Sequence, residues 1–359
     1  MSRCMSNRCL NFTFRSKDRE FPDEDEAPID ILPDELIIEI FQLLPLEDLV
    51  RCEDVCRRWR KVAMDPILWK SMPIVCSGQL GEISDKKMAL INSHRACIRC
   101  IKLQYILNYP VIKSMTDQCN NLISVELIMC RIEKGFEEDI KKWTNLKKLN
   151  LKNSLLKSDK DLEIQYDQFK NLNYLGLSDF GLSTANCQTL LNCCNLNYIN
   201  IDKIRGLTLD FMKLLIKTKQ CTLVSLHMYG GNAVDDEVLF LLANCPKLEE
   251  LAVLRCESLS DTALVAIATF PKLKRLQLWN NTTFSEDMLL KTLQSPVLIK
   301  LKSLSLSKVN NVSSRIVDVI SECYKNLRFL ALYQCPLIIR TDYEKQLKAK
   351  FRNIDVVLY

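Results

Sequence analysis

Residues 245–279, CPKLEELAVLRCESLSDTALVAIATFPKLKRLQLW, carry one apolar spacing twice: Leu248, Leu251 and Val253, then Leu273, Leu276 and Leu278. In each set the last two residues stand two apart, which puts both side chains on one face of a short strand. Between the sets, Asp261–Ala268 reads as a helix with Ser260 as its N-cap. A strand and a returning helix this short bury their apolar faces only against copies of themselves.

Working outward, the L-x-x-L-x-L spacing, with Ile, Val or Met allowed, recurs along the chain. It starts at Ile98, Leu122, Leu146, Leu172, Leu196, Leu223, Leu248, Leu273, Leu301, Leu327 and Ile354, in steps of 24 to 28 residues. A period of 20–29 residues with this spacing is that of a leucine-rich repeat. The expected fold is α/β: a curved solenoid of about eleven repeats over 98–359, parallel strands on its concave face and helices on its convex face. Helix-side residues such as Leu239, Leu242 and Ala243 meet the strand leucines. The array ends on a strand formed by Ile354, Val357 and Tyr359.

Ahead of the array, residues 31–69 read ILPDELIIEIFQLLPLEDLVRCEDVCRRWRKVAMDPILW. Pro33 suits a first helical turn, and Asp34 and Glu35 suit its positive end. Leu36, Ile40 and Leu44 recur at i, i+4 and i+8 with Ile37 and Phe41 beside them, predicting a helix of about three turns stopped by Pro45. A second helix carries Leu46, Leu49 and Val50. A third starts near Val55, with Val55, Trp59, Val62 and Ala63 on one side and Arg57, Arg58, Arg60 and Lys61 mostly on the other. Pro66 ends it, and Leu68 and Trp69 pack back. So small a unit buries little, and its surplus of Leu, Ile and Trp fits either a handle for another protein or a cap on the next domain. Pattern alone leaves both open. Residues 1–28, basic and then acidic, read as a disordered leader. The helical domain spans 29–72, and 73–97 is a linker or capping segment with a helix at Ser84–Ser93.

Composition narrows the function. The 49 basic and 44 acidic residues give a net charge of +5, mild and mixed, so neither nucleic acid nor a membrane is an expected partner. No apolar run approaches the ~18 residues of a membrane span. The N-terminus has no apolar signal core, although its basic start fits a mitochondrial presequence weakly. Seventeen cysteines without an export signal point to reduced thiols in cytosol or nucleus. With eight glycines and two histidines, no phosphate-cradling loop and no histidine-based triad is evident. Cys97 and Cys100 form one C-x-x-C without a second pair, which reads as core or edge thiols rather than zinc. No catalytic residue, metal or cofactor is expected; the chain reads as a non-enzyme.

Residues 31–69 resemble the F-box at Leu32-Pro33, Glu35, Ile40-Phe41, Leu44-Pro45, Asp48-Leu49, Val55-Cys56-Arg57-Arg58-Trp59-Arg60 and Leu68-Trp69. The repeats resemble the cysteine-containing class found in F-box proteins: Cys130, Cys256 and Cys335 each sit eight residues after the first apolar residue of their repeat. Ser154, Phe180 and Ile204 depart from that class, which predicts irregular early repeats. The resemblance implies a substrate receptor of a Skp–cullin–F-box ubiquitin ligase. Its partners would be a Skp-type adaptor and, through it, cullin and RING subunits. Leu32, Pro33, Ile37, Ile40, Leu44, Pro45, Leu49 and Trp59 would form or support the adaptor-binding face. A protein-binding scaffold that engages the adaptor without driving degradation is the alternative.

The target surface is a separate expectation, from the residues themselves. Counting the first leucine of each repeat as position one, position seven lies on the concave side and serves no core. There stand Tyr229, Leu254, Trp279 and Tyr333, with Arg255 and Arg275 near. Aromatic and arginine anchors dominate binding hot spots, so this column is the candidate grip for an unknown target protein.

Overall fold

The computed structural model describes residues 28–78, 85–157, 162–229, 233–338, 347, 350–351 and 354–357. The leader assigned to 1–28 falls outside them apart from Pro28, as do Ser84 and Tyr359. The chain divides into two compact units, Met1–Leu68 and Trp69–Tyr359, where the sequence reading set the boundary at 72.

The first unit holds helices α1 (Asp34–Phe41), α2 (Leu46–Cys52) and α3 (Arg57–Ala63). Pro33 and Pro45 stand extended just ahead of α1 and α2, followed by Asp34 and Glu35 or Glu47 and Asp48, whose charges favour the positive helix ends. Cys56 opens α3: its Sγ accepts the Trp59 N–H at 3.4 Å. Ile37, Phe41, Leu46, Leu49, Cys52, Val62 and Ala63 form the core, and Phe41 meets Trp59 edge-on with ring centroids 5.2 Å apart. Arg58 donates to Asp34 Oδ1 at 2.8 Å and to the Leu32 carbonyl, tying α3 to the start of α1. Two expectations are corrected. Helix α1 ends at Phe41, two turns rather than three. Val55 lies before α3 and is exposed, because the chain turns at Glu53–Val55 and the helix starts only after Cys56.

The second unit is a parallel sheet of twelve strands among the described residues, each hydrogen-bonded to the next in chain order. Equivalent repeat positions pair across it: Leu226 faces Leu251, and Leu251 faces Leu276. The twelfth strand is Ile74–Ser77, with Ile74 opposite Ile101. The stretch assigned to a linker or capping segment therefore supplies a strand and a helix, Asp85–Ser93, of its own. Trp69 belongs to this unit; it stacks on His94 with centroids 4.3 Å apart and planes 12° apart. The early repeats are irregular: Arg131–Glu133 and Leu155–Lys157 pair as a second small sheet, and a 3-10 turn, Tyr166–Gln168, replaces a helix.

Position nine explains the cysteine class. In four repeats its side chain turns inward and hydrogen-bonds the position-six carbonyl of the preceding repeat, while Cys256 bonds the Leu254 carbonyl of its own repeat at 3.6 Å. Cys130 bonds Leu103 at 3.4 Å, Ser154 bonds Leu127 at 2.8 Å, Asn281 bonds Val253 at 2.9 Å and Cys335 bonds Leu306 at 3.1 Å. Ser154, a departure in sequence, does the same work as cysteine. Phe180 and Ile204 have no such group; beside them the backbone of adjacent repeats pairs, with Arg205 donating to the Phe180 carbonyl and Leu182 to that of Arg205, each at 2.9 Å. Asn281 also accepts the Cys256 N–H at 3.0 Å and is fully buried. Asn281→Ala leaves that N–H and the Val253 carbonyl unpaired, at a cost of about 2–3 kcal/mol, read as a lower urea midpoint at unchanged slope.

Position eight repeats a second device. Tyr105, Met129, Asn153, Asp179, Lys203, Arg255, Asn280, Lys308 and Gln334 all have φ between 50° and 62°. This left-handed turn closes the strand, and side chains other than glycine adopt it at a cost. A recurring bond holds it. The position-eight N–H donates to the position-seven carbonyl of the next repeat, as Arg255 to Trp279 at 2.7 Å and Lys308 to Tyr333 at 2.8 Å.

Candidate protein-docking surfaces

On the helical unit, the eight residues expected at an adaptor face do not lie alike. Pro33, Ile40 and Pro45 are exposed, Leu32, Leu44 and Trp59 are half-buried, and Ile37 and Leu49 are fully buried. Ile37 and Leu49 therefore cannot touch a partner; they anchor α1 and α2 to the core. Along α1 and just past it, Leu36 (43%), Ile40 (39%) and Leu43 (85%) are exposed, with Ile31 nearby in sequence; Val55, Met64 and Ile67 are exposed elsewhere in the unit. Leu36, Ile40 and Leu43 recur at i, i+4 and i+7, one helical stripe opposite the buried Ile37–Phe41 side. Leu36 and Leu43 were not among the candidates. The signal was present, because α1 is apolar on two faces and only one can be core.

On the repeat unit, the sheet places Tyr229, Leu254 and Trp279 side by side in register. Their strands are two steps apart, roughly 10 Å at ~4.8 Å per step. The Tyr229 and Trp279 centroids are nonetheless 6.0 Å apart, so the rings lean together over Leu254. Lys203 Nζ lies 5.2 Å from the Tyr229 centroid. Lys308 Nζ lies 5.0 Å from the Trp279 centroid and 5.9 Å from that of Tyr333, which joins Tyr333 to the row. Arg255 Nη1 donates to the Tyr229 hydroxyl at 3.5 Å. Lys203 and Lys308 were missed by the sequence reading, which examined position seven and not the left-handed position eight beside it.

Arg275 does not join this row. It starts its strand at position three, four residues and roughly 13 Å from Trp279, and is ion-paired with Glu250. Glu250 also accepts the Ser225 hydroxyl at 3.3 Å, and His227 Nε2 lies 3.9 Å away. Burial holds the His227 pKa below its usual value, with Glu250 opposing. The early repeats likewise satisfy themselves: Glu126 accepts from Lys148 at 2.8 Å and from Asn150 at 3.3 Å, and Lys148 sits 5.0 Å from the Tyr174 centroid. Asp202, at the foot of the row, is half-buried; desolvation pushes its pKa up against Lys152 and Lys203, and its Oδ1 finds no hydrogen-bond partner among the described residues.

Residues 29–73 match the family model described as F-box-like. Two relatives match over stretches far longer than the F-box, so the likeness runs beyond it. F-box protein SKIP19 of Arabidopsis thaliana is 25% identical over 234 residues, 63% of this chain and 68% of that protein. Putative F-box/LRR-repeat protein 9 of Arabidopsis thaliana is 21% identical over 241 residues, 64% of this chain and 88% of that protein. The chain carries an F-box-like domain and is similar beyond it to F-box and F-box/LRR-repeat proteins. F-box/LRR-repeat protein 12 of Homo sapiens is 40% identical over 43 residues, 12% of this chain and 13% of that protein. A chain from the crystal structure of the Rad7 and Elc1 complex in yeast covers 91% of this chain and 93% of its own length with a TM-score of 0.55. At 14% identity that likeness is one of fold.

Other features of the chain bear on ligands. Cys97 and Cys100 are half-buried free thiols, and burial pushes the Cys100 pKa up. Among the described residues, no three His, Cys, Asp or Glu side chains gather so as to hold a metal ion, and no helix is long and apolar enough to cross a membrane. The sequence showed no strongly basic pocket. At the end of the strands away from the aromatic row, Lys300, Lys302, Lys325, Arg328 and Lys350 line a cavity of about 790 Å³.

Proposed function

We propose that this chain is the substrate receptor of a Skp–cullin–F-box ubiquitin ligase. The Leu36–Ile40–Leu43 stripe of the helical unit docks a Skp-type adaptor and, through it, cullin and RING subunits. The Tyr229–Leu254–Trp279 row holds the target protein. The chain contributes no catalytic group; it raises the rate of ubiquitin transfer by holding target lysines near a charged conjugating enzyme. The observation that carries the reading is an F-box match whose helix α1 exposes an apolar stripe, in one chain with repeats whose sheet carries a half-buried aromatic row at position seven. The yeast structure titled as a Rad7 and Elc1 complex is a protein of this fold class with a bound partner, which supports a partner-binding role. The fifteen described cysteines are all free, in keeping with a site of action in cytosol or nucleus.

The test is affinity capture of the full chain with the proteasome and cullin activation blocked, beside two variants. Ile40→Asp with Leu43→Asp is expected to lose adaptor and cullin and keep targets. Tyr229→Ala with Trp279→Ala is expected to keep the adaptor and lose targets by tenfold or more. Captured proteins should gain half-life when the chain is depleted. If the adaptor is captured and no bound protein is stabilised, the chain is a scaffold and the ligase reading fails.

A further inference from the structure

We infer that the aromatic row takes an extended acidic peptide segment, with carboxylates spaced three residues apart and apolar side chains between them. The inference rests on the target-binding reading above and names the chemistry of the target's docking segment.

The argument is one of alternation. Repeats are numbered here from Ile98. Lys203, Arg255 and Lys308 stand at position eight of the fifth, seventh and ninth repeats, and Tyr229, Trp279 and Tyr333 at position seven of the sixth, eighth and tenth. The left-handed turn aims each cation at the ring of a neighbouring repeat, which gives the contacts of 5.2, 5.0 and 5.9 Å and the Arg255–Tyr229 bond. Cations and rings therefore interleave along one line, with Leu254 in its floor.

Charge selects the partner. No ion pair forms on Lys203, Arg255 or Lys308 among the described residues, whereas Lys148 and Arg275 on the same face are each ion-paired with a carboxylate. Glu250 is taken up by Arg275 and Ser225; of the acids that act on the cations, half-buried Asp202 beside Lys203 and exposed Glu257 beside Arg255, neither comes within ion-pair distance. An ammonium over a ring keeps its outer side for an anion, and an aromatic floor takes apolar side chains.

Spacing then sets the length. Lys203 and Lys308 are four strand steps apart, roughly 19 Å at ~4.8 Å per step, and Arg255 lies midway. No single phosphate or carboxylate spans that distance. A peptide in the extended polyproline II form, rising ~3.1 Å per residue with three residues per turn, covers it in about six residues and presents i, i+3 and i+6 on one side to the three cations. Running across the strands, such a segment sets its intervening residues over Tyr229, Leu254 and Trp279.

The probe is a phage-displayed library of random twelve-residue peptides, selected on the full chain bound to its adaptor. The expected result is enrichment of Asp or Glu at i, i+3 and i+6 around an apolar residue. Affinities of the selected peptides should fall with added salt, at least tenfold in Lys203→Glu with Lys308→Glu, and less in the Gln pair. Adaptor affinity and thermal midpoint of each variant report folding. Peptides that need Trp279 but carry no acidic spacing, or bind the Glu pair equally well, overturn the inference and leave the target row standing. Peptides indifferent to Trp279→Ala overturn both. A selection that enriches nothing overturns the inference.

Discussion

Replacing Ile40 and Leu43 together by aspartate is expected to weaken adaptor binding by about a thousandfold while the helical unit stays folded. Truncating a well-placed interface anchor costs ~2 kcal/mol, and two such losses convert to roughly three orders of magnitude in Kd. Carboxylates at those places would add a desolvation cost on docking. Folding is spared because neither residue is core: Ile40 is 39% exposed and Leu43 is 85% exposed and past the end of α1. The contrast is with Ile37→Ala or Leu49→Ala, fully buried positions where a cavity costs about 2–5 kcal/mol and threatens so small a unit. Calorimetry of the full chain with purified adaptor, beside circular-dichroism melts, separates these cases. Wild-type affinity in a variant with an unchanged melt would remove the stripe from the adaptor face.

The fold was legible because its unit is short and repeated. Each strand needs inward residues at positions four and six, and a leucine at position one to meet them. That triad can be read without knowing where any helix lies. The one strand of the main sheet that was missed shows what the reading depended on. Ile74 and Cys76 fill positions four and six, but Ser71 stands where position one should be apolar. Ser154 was read as a departure because residue type was compared; the structure selects a group that reaches the Leu127 carbonyl, and a hydroxyl does so as well as a thiol.

The site was legible in part, for a different reason. Position seven announces itself by large apolar side chains with no core duty, and Tyr229, Leu254 and Trp279 do converge. Arg275 was placed with them by nearness in sequence, yet four residues along a strand separate groups that a loop could bring together. Lys203 and Lys308 escaped because a lysine after a strand carries no signal of its own; only the left-handed turn aims it back at a ring. On α1 the spacing offered two apolar faces, and burial alone distinguished Ile37 and Phe41 from Leu36 and Ile40.

Trp69→Ala is expected to open the repeat array from its N-terminal end, at a cost of about 3–5 kcal/mol. Trp69 is fully buried, and its ring stacks on His94, itself 5% exposed and held at Nδ1 by the Ser93 hydroxyl at 3.0 Å. Met72, Ile74 and Ile91, buried in the same N-terminal stretch of the unit, belong to the end of the array that the indole serves. In an array stabilised by nearest-neighbour interfaces, an end repeat has one neighbour instead of two, so a lost contact there is not shared. Unfolding is therefore local before it is global. Hydrogen exchange should accelerate in Ile74–Ser77 and Cys100–Gln104 and stay slow in Ser225–Tyr229 and Arg275–Trp279. Trp69→Phe, which keeps a ring against His94, should recover a large part of the protection. Uniform acceleration across all strands would mean that the array unfolds as one body, and unchanged exchange at the first two strands would mean that Trp69 does not hold its end.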